Sequence, residues 1–351
     1  MTDAIVVNRV LSALDPRGGP LRPIRRNGSI LLAMPEDKEG ALRTLRLYQP
    51  QRRAARFLAN GLRLSILAGV HSRIPALAAT SLPREILTPE LPDVVPGSCG
   101  ILLGSPEHRI RRAIATFRTS SKWEVAKIAF GKDGTTLLKQ ESRILSLLSQ
   151  VDAAVPECLG LHLGEDICVM RMPYVTGTHV KAGARDKALA LLGRWATDRE
   201  AMPIVRFSEW GSISHALGVG DSGNRALRAL TGQSLTPVIR HGDFARWNLL
   251  EQPGGDLTVI DWEWGHESGM PGLDLVHYFL QDFRLVDRLS PSDAINRTLA
   301  VMQLPQCQDY LRKTGWSHDP LLPIIASLAY KQGAGHQENR DVLDAALRLN
   351  R

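Results

Sequence analysis

Aromatic residues make up only 5% of this 351-residue chain, and cysteine occupies four positions. Cys99, Cys158, Cys168 and Cys307 are scattered, with no C-x-x-C pair and no histidine spaced to join them. A zinc site or a disulfide framework is therefore not expected, and a reducing, cytoplasmic setting is. No run of about 20 residues is apolar enough to span a bilayer. The best candidate, Leu62 to Leu82, is broken by Arg63, His71 and Arg73. The opening MTDAIVVNRV lacks the basic-then-apolar order of a secretory signal. There is no internal repeat and no low-complexity tract. What remains is ordinary: 44% hydrophobic and 23% charged residues, the balance of a globular chain rather than a disordered or fibrous one. The length suggests two or three domains.

Charge is unevenly placed. Residues 1–95 carry 14 Lys and Arg against 8 Asp and Glu, a net +6 of the chain's +7. The centre of this excess is LYQPQRRAARFLANGLRLSILAG, residues 47–69. Leu58, Leu62, Leu64 and Leu67 recur near helical spacing among Arg52, Arg53, Arg56 and Arg63. Such a helix either lies on anionic lipid or an acidic partner, or packs on the main body; packing is the expectation. Nucleic acid is disfavoured, because no binding motif and no interleaved aromatics accompany the arginines. A proline-bearing stretch, Ser81 to Pro96, reads as a linker.

Beyond it, ILLGSP (101–106), RRAIATFR (111–118) and WEVAKIAFG (123–131) read as three strands with tight turns. TTLLKQESRILSLLSQ (135–150) reads as a helix capped by Thr135. Two further strands follow, ECLGLHLG (157–164) and ICVMRMPYV (167–175). After Gly177 the pattern is mostly helical. This order predicts an α+β fold of two lobes, a small five-stranded N-lobe and a mainly helical C-lobe. The expected divisions are a basic segment and linker over 1–95, the N-lobe over 96–174 and the C-lobe over 175–351.

The chemistry concentrates in HGDFARWN, residues 241–248, and in LTVID, which ends at Asp261. An Asp, an Asn five residues on, and a second Asp at the end of the next hairpin strand suit phosphoryl transfer. That reaction needs a carboxylate to accept the incoming hydroxyl's proton, and oxygen ligands to hold Mg²⁺ against phosphates. Asp243 fits the first need; Asn248 with Asp261 fits the second. Each residue alone is a weak signal, since Asp and Asn also fill loops for conformational reasons.

HGDFARWN followed by VIDWEWG resembles the aminoglycoside phosphotransferase and choline kinase superfamily, over roughly residues 98–285. The resemblance implies a protein-kinase-like fold, ATP and Mg²⁺ as cofactors, and a small-molecule hydroxyl acceptor. It implies that Asp243 is the catalytic base and that Asn248 and Asp261 hold metal. It further points to Lys127, in VAKIAF, as the phosphate anchor. A surface lysine on an edge strand is the alternative. Glu141 falls inside the apolar helical stripe Leu137, Leu138, Ile144, Leu145, Leu148, and a buried carboxylate needs a partner. Lys127 is that expected partner.

The G-x-G-x-x-G of protein kinases is absent. Gly104 and Ser105 remain as the phosphate-loop candidates, while Arg109, Arg111 and Arg112 are expected at the surface. MRMPYVTGT (170–178) resembles the family's hinge, with the Pro173 carbonyl and the Val175 N–H facing adenine. His241 is expected to be neutral and structural, and Asp274 either braces the catalytic loop or caps a helix. The predicted reaction is transfer of the ATP γ-phosphoryl group to a sugar, polysaccharide precursor, amino alcohol or aminoglycoside-like acceptor. The alternative is a catalytically silent scaffold that binds nucleotide or a partner, peripheral to a membrane through residues 1–95.

Overall fold

In a computed structural model, the structure describes residues 2–48, 50, 53–77, 85–104, 110–180, 185–196, 198–317, 319–335 and 340–350. The chain divides into two compact units, Met1–Thr176 and Gly177–Arg351. The first is sheet-rich and the second mainly helical, an α+β architecture.

The first unit runs α1 (Asp3–Leu14), β1 (Arg22–Arg26), β2 (Ser29–Met34), α2 (Lys38–Leu47), α3 (Arg53–Leu67), β3 (Gly100–Leu103), β4 (Arg112–Arg118), β5 (Trp123–Phe130), α4 (Gly131–Leu148), β6 (Gly160–Leu163) and β7 (Ile167–Pro173). The strands form one antiparallel sheet in the order β1-β2-β3-β4-β5-β7-β6. The sheet therefore has seven strands, not the expected five. The two extra strands come from residues 22–34, whose arginine-rich first half hides the alternation that marks a strand. Ile30 and Leu32 show why they join: each is fully buried, on opposite faces of β2. One face packs Val6, Val7 and Val10 of α1 against Ile101, Ala115, Phe117, Ile128 and Val169. The other packs Ala41 and Leu45 of α2 and Ile66 of α3 against Leu32 and Met34. Residues 85–96 of the proline-bearing stretch also lie on the sheet: Leu87 and Val94 are buried in the first core, and Thr88 bridges to Leu163.

Helix α4 starts at Gly131, four residues before the expected cap at Thr135. Gly134 therefore lies inside the helix. A Cβ there would stand 2.8 Å from the Ala129 Cβ, so glycine lets the helix lie close on β5. The buried face of α4 then carries Leu138, Glu141, Ile144, Leu145 and Leu148.

The second unit contains β8 (Thr178–His179), α5 (Arg185–Trp195), β9 (Met202–Pro203), α6 (Trp210–Leu217), α7 (Asp221–Thr231), β10 (Ser234–Leu235), β11 (Val238–Arg240), β12 (Leu249–Glu251), β13 (Leu257–Val259), β14 (His266–Gly269), α8 (Leu273–Gln281), a π-helical turn (Asp282–Val286), α9 (Pro291–Met302), α10 (Pro305–Lys313), α11 (Leu321–Gly333) and α12 (Arg340–Leu349). α11 is buried along most of its length, from Leu321 to Ala329. The short sheets β13-β12-β8 and β11-β14 frame the loops that carry HGDFARWN and IDWEW. Among the described residues no helix is long and apolar enough to cross a membrane.

Gly134→Val should force α4 away from β5 and destabilise the protein by about 1–3 kcal/mol through overpacking. Urea unfolding of the variant beside wild type measures it. An unchanged midpoint would mean that this contact does not set the helix position.

Candidate active site

The two groups of predicted residues lie in different units, and each is built from its own local packing. In the first unit, Lys127 sits on β5, an interior strand, in register with Ile114 of β4 and Met170 of β7. The edge-strand alternative is thereby excluded. Its Nζ lies 2.6 Å from Glu141 Oε1. The Glu141 side chain is 1% exposed and that of Lys127 13%, so the ion pair is held largely out of water. A pair of this kind fixes the lysine's direction more than it adds stability, because desolvation offsets much of the Coulomb attraction.

Gly104 follows β3 at an exposed position, its N–H donating to the Arg112 carbonyl over 3.0 Å. Ser105 and Arg109 lie outside the described residues. Arg111, expected at the surface, is instead drawn in: it pairs with Asp3 and donates to the Gly104 carbonyl at 3.1 Å. Asp3, remote in sequence from Arg111, lies beyond the reach of a local sequence pattern. Pro173 closes β7, and Val175 follows outside the strand, both half-buried.

In the second unit the loop after β11 is pinned from several directions. The Asp274 carboxylate, buried at the start of α8, accepts the N–H of His241 at 2.5 Å and of Gly242 at 3.0 Å. It braces the loop; the helix N-cap position is Gly272. Gly242 has φ +86°, and a Cβ there would stand 2.5 Å from the Trp264 carbonyl oxygen. Only glycine combines that dihedral with that approach. His241 is fully buried. The Asp243 N–H donates to its Nδ1 (3.2 Å), so the ring proton is on Nε2, which faces the Ile260 carbonyl at 2.9 Å. Burial lowers the imidazole's pKa against the pull of Asp274. The ring is neutral and structural, and it packs edge-on against Trp262 in a buried cluster with Phe244 and Trp195.

Asp243 emerges from this frame with both carboxylate oxygens engaged. Asn248 Nδ2 donates to Asp243 Oδ2 (3.0 Å) and to its carbonyl (2.8 Å). Asp243 Oδ1 lies 2.7 Å from His277 Nε2. Burial would raise the Asp243 pKa, but the His277 bond and the nearby charge of Lys331 outweigh it, holding the carboxyl well below the usual carboxylate range. Burial and the same lysine lower His277, so it donates as a neutral imidazole. The Asp243 carboxylate is therefore ionised throughout the neutral range and points one way.

Asp261 follows directly on Ile260, which is clamped between the loop's two ends: its N–H donates to the Asn248 carbonyl (2.9 Å) and its carbonyl accepts from His241. Asp261 itself has φ +69°, a conformation that non-glycine residues adopt at a cost. Asn248 commits its amide nitrogen to Asp243, so its oxygen is the atom able to meet a cation. Among the described residues no cluster of three or more His, Cys, Asp or Glu could hold a metal ion by itself.

Two residues at this site escaped the sequence reading. His277 had a signal: it stands three residues after Asp274, on the same face of α8. Lys331 had none. It comes from α11, 88 residues beyond Asp243 in sequence, and its Nζ donates to the Gly242 carbonyl at 2.9 Å.

No protein-family model and no curated protein sequence matches the chain. Among solved structures, it is similar to an aminoglycoside phosphotransferase from Streptomyces rimosus in complex with ADP and streptomycin. That match is 17% identical, covers 66% of this chain and 90% of that one, and has a TM-score of 0.42. A choline kinase from Streptococcus pneumoniae is 17% identical over 74% of this chain and 92% of its own, TM-score 0.41. A Plasmodium vivax ethanolamine kinase is 10% identical over 71% and 81%, TM-score 0.43. Likeness at this level transfers no role to a residue; the side-chain geometry has to carry the chemistry.

Asp274→Ala should destabilise the protein by about 1–3 kcal/mol for each of the two N–H groups it orphans. Asp274→Asn, which keeps one acceptor oxygen, should lose less. Chemical denaturation of both variants checks the order, and equal losses would contradict a two-acceptor brace.

Proposed function

We propose that the chain is an ATP-dependent phosphotransferase that moves the γ-phosphoryl group to a hydroxyl of a small molecule. The observation that carries the reading is Asp243: an ionised carboxylate aimed by Asn248 on one oxygen and His277 on the other. A group fixed in that way is suited to hold an acceptor hydroxyl in line for attack.

The strongly lowered pKa bears on the mechanism. A carboxylate this acidic does not deprotonate an alcohol in its ground state. In this reading it accepts the hydroxyl's hydrogen bond, orients the lone pair, and takes the proton only as the new O–P bond makes the alcohol acidic. That order fits a loose phosphoryl-transfer transition state, in which positioning and electrostatics do most of the work. Lys127, kept straight by Glu141, anchors phosphate oxygens, and residues 96–174 hold the nucleotide through Gly104, Ser105 and the Pro173–Val175 backbone. The Asn248 amide oxygen and the Asp261 carboxylate are hard oxygen donors that fit Mg²⁺, which takes one or two carboxylates and completes its shell with phosphates and water. When bound, it would neutralise phosphate charge there.

Residues 175–351 provide the acceptor side. Their net charge is close to zero: residues 178–351 hold 19 Lys and Arg against 20 Asp and Glu. Lys331 adds a positive charge beside Asp243. Both features disfavour a polycationic acceptor and favour a neutral sugar or polysaccharide precursor.

Asp243→Asn keeps size and most hydrogen bonds but removes the proton acceptor. It should bind ATP with near wild-type affinity and lose about 10²–10⁴-fold in turnover. ATP titration and single-turnover rates on both proteins, against a panel of sugars, amino alcohols and aminoglycosides, decide the matter. Turnover unchanged in the variant removes Asp243 from the chemistry. A wild type that binds ATP and turns over no acceptor supports the silent scaffold instead.

The Lys127–Glu141 pair makes a separate demand. Lys127→Ala and Glu141→Ala should each cut turnover, and the double variant should lose less than the two losses combined, because the residues act as one unit. Strictly additive losses would mean that Glu141 does not act through Lys127.

A further inference from the structure

Helix α3 is apolar on two sides, and the fold uses only one of them. Ile66 is fully buried, and Leu62 packs partly beside it, against the α2 and β2 core. The remaining large apolar residues point away from the protein. Phe57 is 79% exposed, Leu58 72%, Leu64 67% and Leu67 42%, and Val70, just beyond the helix, is 45% exposed. At 100° per residue, Phe57, Leu58 and Leu64 fall on one stripe together with the exposed Ala54, Gly61 and Ala68; Ile66 lies on the other side of the helix, and Leu62 borders the stripe next to Leu58. The sequence expectation of a helix packed through its leucines holds for Leu62; Leu58, Leu64 and Leu67 are turned outward. Scattered exposed leucines need no explanation, but a contiguous row of this kind does.

The segment that carries the stripe has charge of one sign. Arg56 and Arg63 stand two turns apart beside Leu67, at the edge of the exposed face and about 80–100° round the helix from Leu64, both exposed. Across residues 40–84 there are eight arginines and not one Asp or Glu. A stretch of 45 residues with no acidic group gives a polyanionic surface nothing to be repelled by.

We propose that α3 is an interfacial helix that seats this protein on an anionic lipid surface. Phe57, Leu58 and Leu64 enter the boundary between headgroups and acyl chains, while Arg56 and Arg63 spread their stems over it and keep their guanidinium groups at lipid phosphates. The stripe is a single convex ridge of flexible side chains. Lipid accommodates such a ridge without a preformed pocket, whereas a protein partner would need a matching groove. The binding is peripheral and reversible. It is independent of the phosphotransferase reading, since no residue assigned to the chemistry lies on α3.

The test is flotation of the full chain with vesicles of equal parts phosphatidylcholine and phosphatidylglycerol, beside vesicles of phosphatidylcholine alone. Wild type should float with the anionic vesicles only, and high salt should weaken the binding. Leu58→Ser/Leu64→Ser and, separately, Arg56→Glu/Arg63→Glu should each reduce the bound fraction more than about tenfold, from roughly fivefold per arginine at the surface. The altered side chains are exposed, so melting temperature and ATP binding should stay at wild-type values, which separates lost docking from lost folding. Wild type left at the bottom of the gradient with anionic vesicles overturns the proposal, as does flotation that neither variant changes. Self-association of wild type that Leu58→Ser/Leu64→Ser abolishes, without flotation, assigns the ridge to a second copy and also overturns it.

Discussion

A carboxylate taken out of water has to be answered by a donor or a cation, and this chain uses that requirement as its positioning device. Glu141 is answered by Lys127 at 2.6 Å, which turns a lysine on an interior strand in one direction. Asp274 is answered by two backbone N–H groups of the 241–242 loop. Glu209 forms an ion pair with Arg240, the residue just before that loop, and accepts from the Met270 N–H just before α8. Glu124 accepts from Arg171 across neighbouring strands. In each case the acid costs stability alone and fixes geometry in company. Three of the four answers converge on residues that carry or border the candidate chemistry. Removing one partner therefore disturbs orientation as well as stability, and activity should be more sensitive than fold to the smaller perturbations.

The same reasoning explains which parts were readable in advance. Glu141 was legible because a carboxylate inside an apolar helical stripe is anomalous unless paired, and Lys127 was the only nearby lysine on a buried strand. The nearness of Asn248 to Asp243, and of the strand end before Asp261 to Asn248, was legible because loop and hairpin spacings fix it locally. The five strands after residue 100 were legible from alternation and turns. The two before it were not, because arginines occupy the half-exposed positions of β1 and dilute the pattern. The start of α4 was placed late because Thr135 has the chemistry of a cap, whereas the helix runs through Gly134, whose close approach to Ala129 no local pattern reports. Lys331 was out of reach for a different reason: its relation to Gly242 depends on how α11 packs in the assembled second unit, and nothing in the sequence reports that.

Asp243 also shows why a residue type does not settle a role. A general base is most effective with a pKa near the working pH. Burial alone would have moved this carboxylate towards that value. His277 and Lys331 move it the other way, and Asn248 takes up the second oxygen. The surroundings thus trade basicity for direction. That trade suits a reaction in which the attacking hydroxyl needs aiming more than activation, and it would suit poorly a reaction that begins with proton abstraction. The geometry therefore narrows the chemistry further than the identity of the residue does.

Helix α3 sets the limit of pattern reading from the opposite side. Its leucines recur at helical spacing, which is equally the mark of a helix that packs and of one that waits for a partner. Periodicity gives the direction of an apolar face and not its destination. Here the core beneath α3 is completed by Ile66 with help from Leu62. Once that contact is made, rotation about the helix axis is fixed, Phe57 and Leu64 are committed to the far side, and Leu58 is left on the outer flank. They cannot turn inward without pulling Ile66 out of the core. Their exposure is thus a consequence of the fold rather than of slack in it, and it presents an apolar ridge on a segment, residues 40–84, that carries no acidic residue.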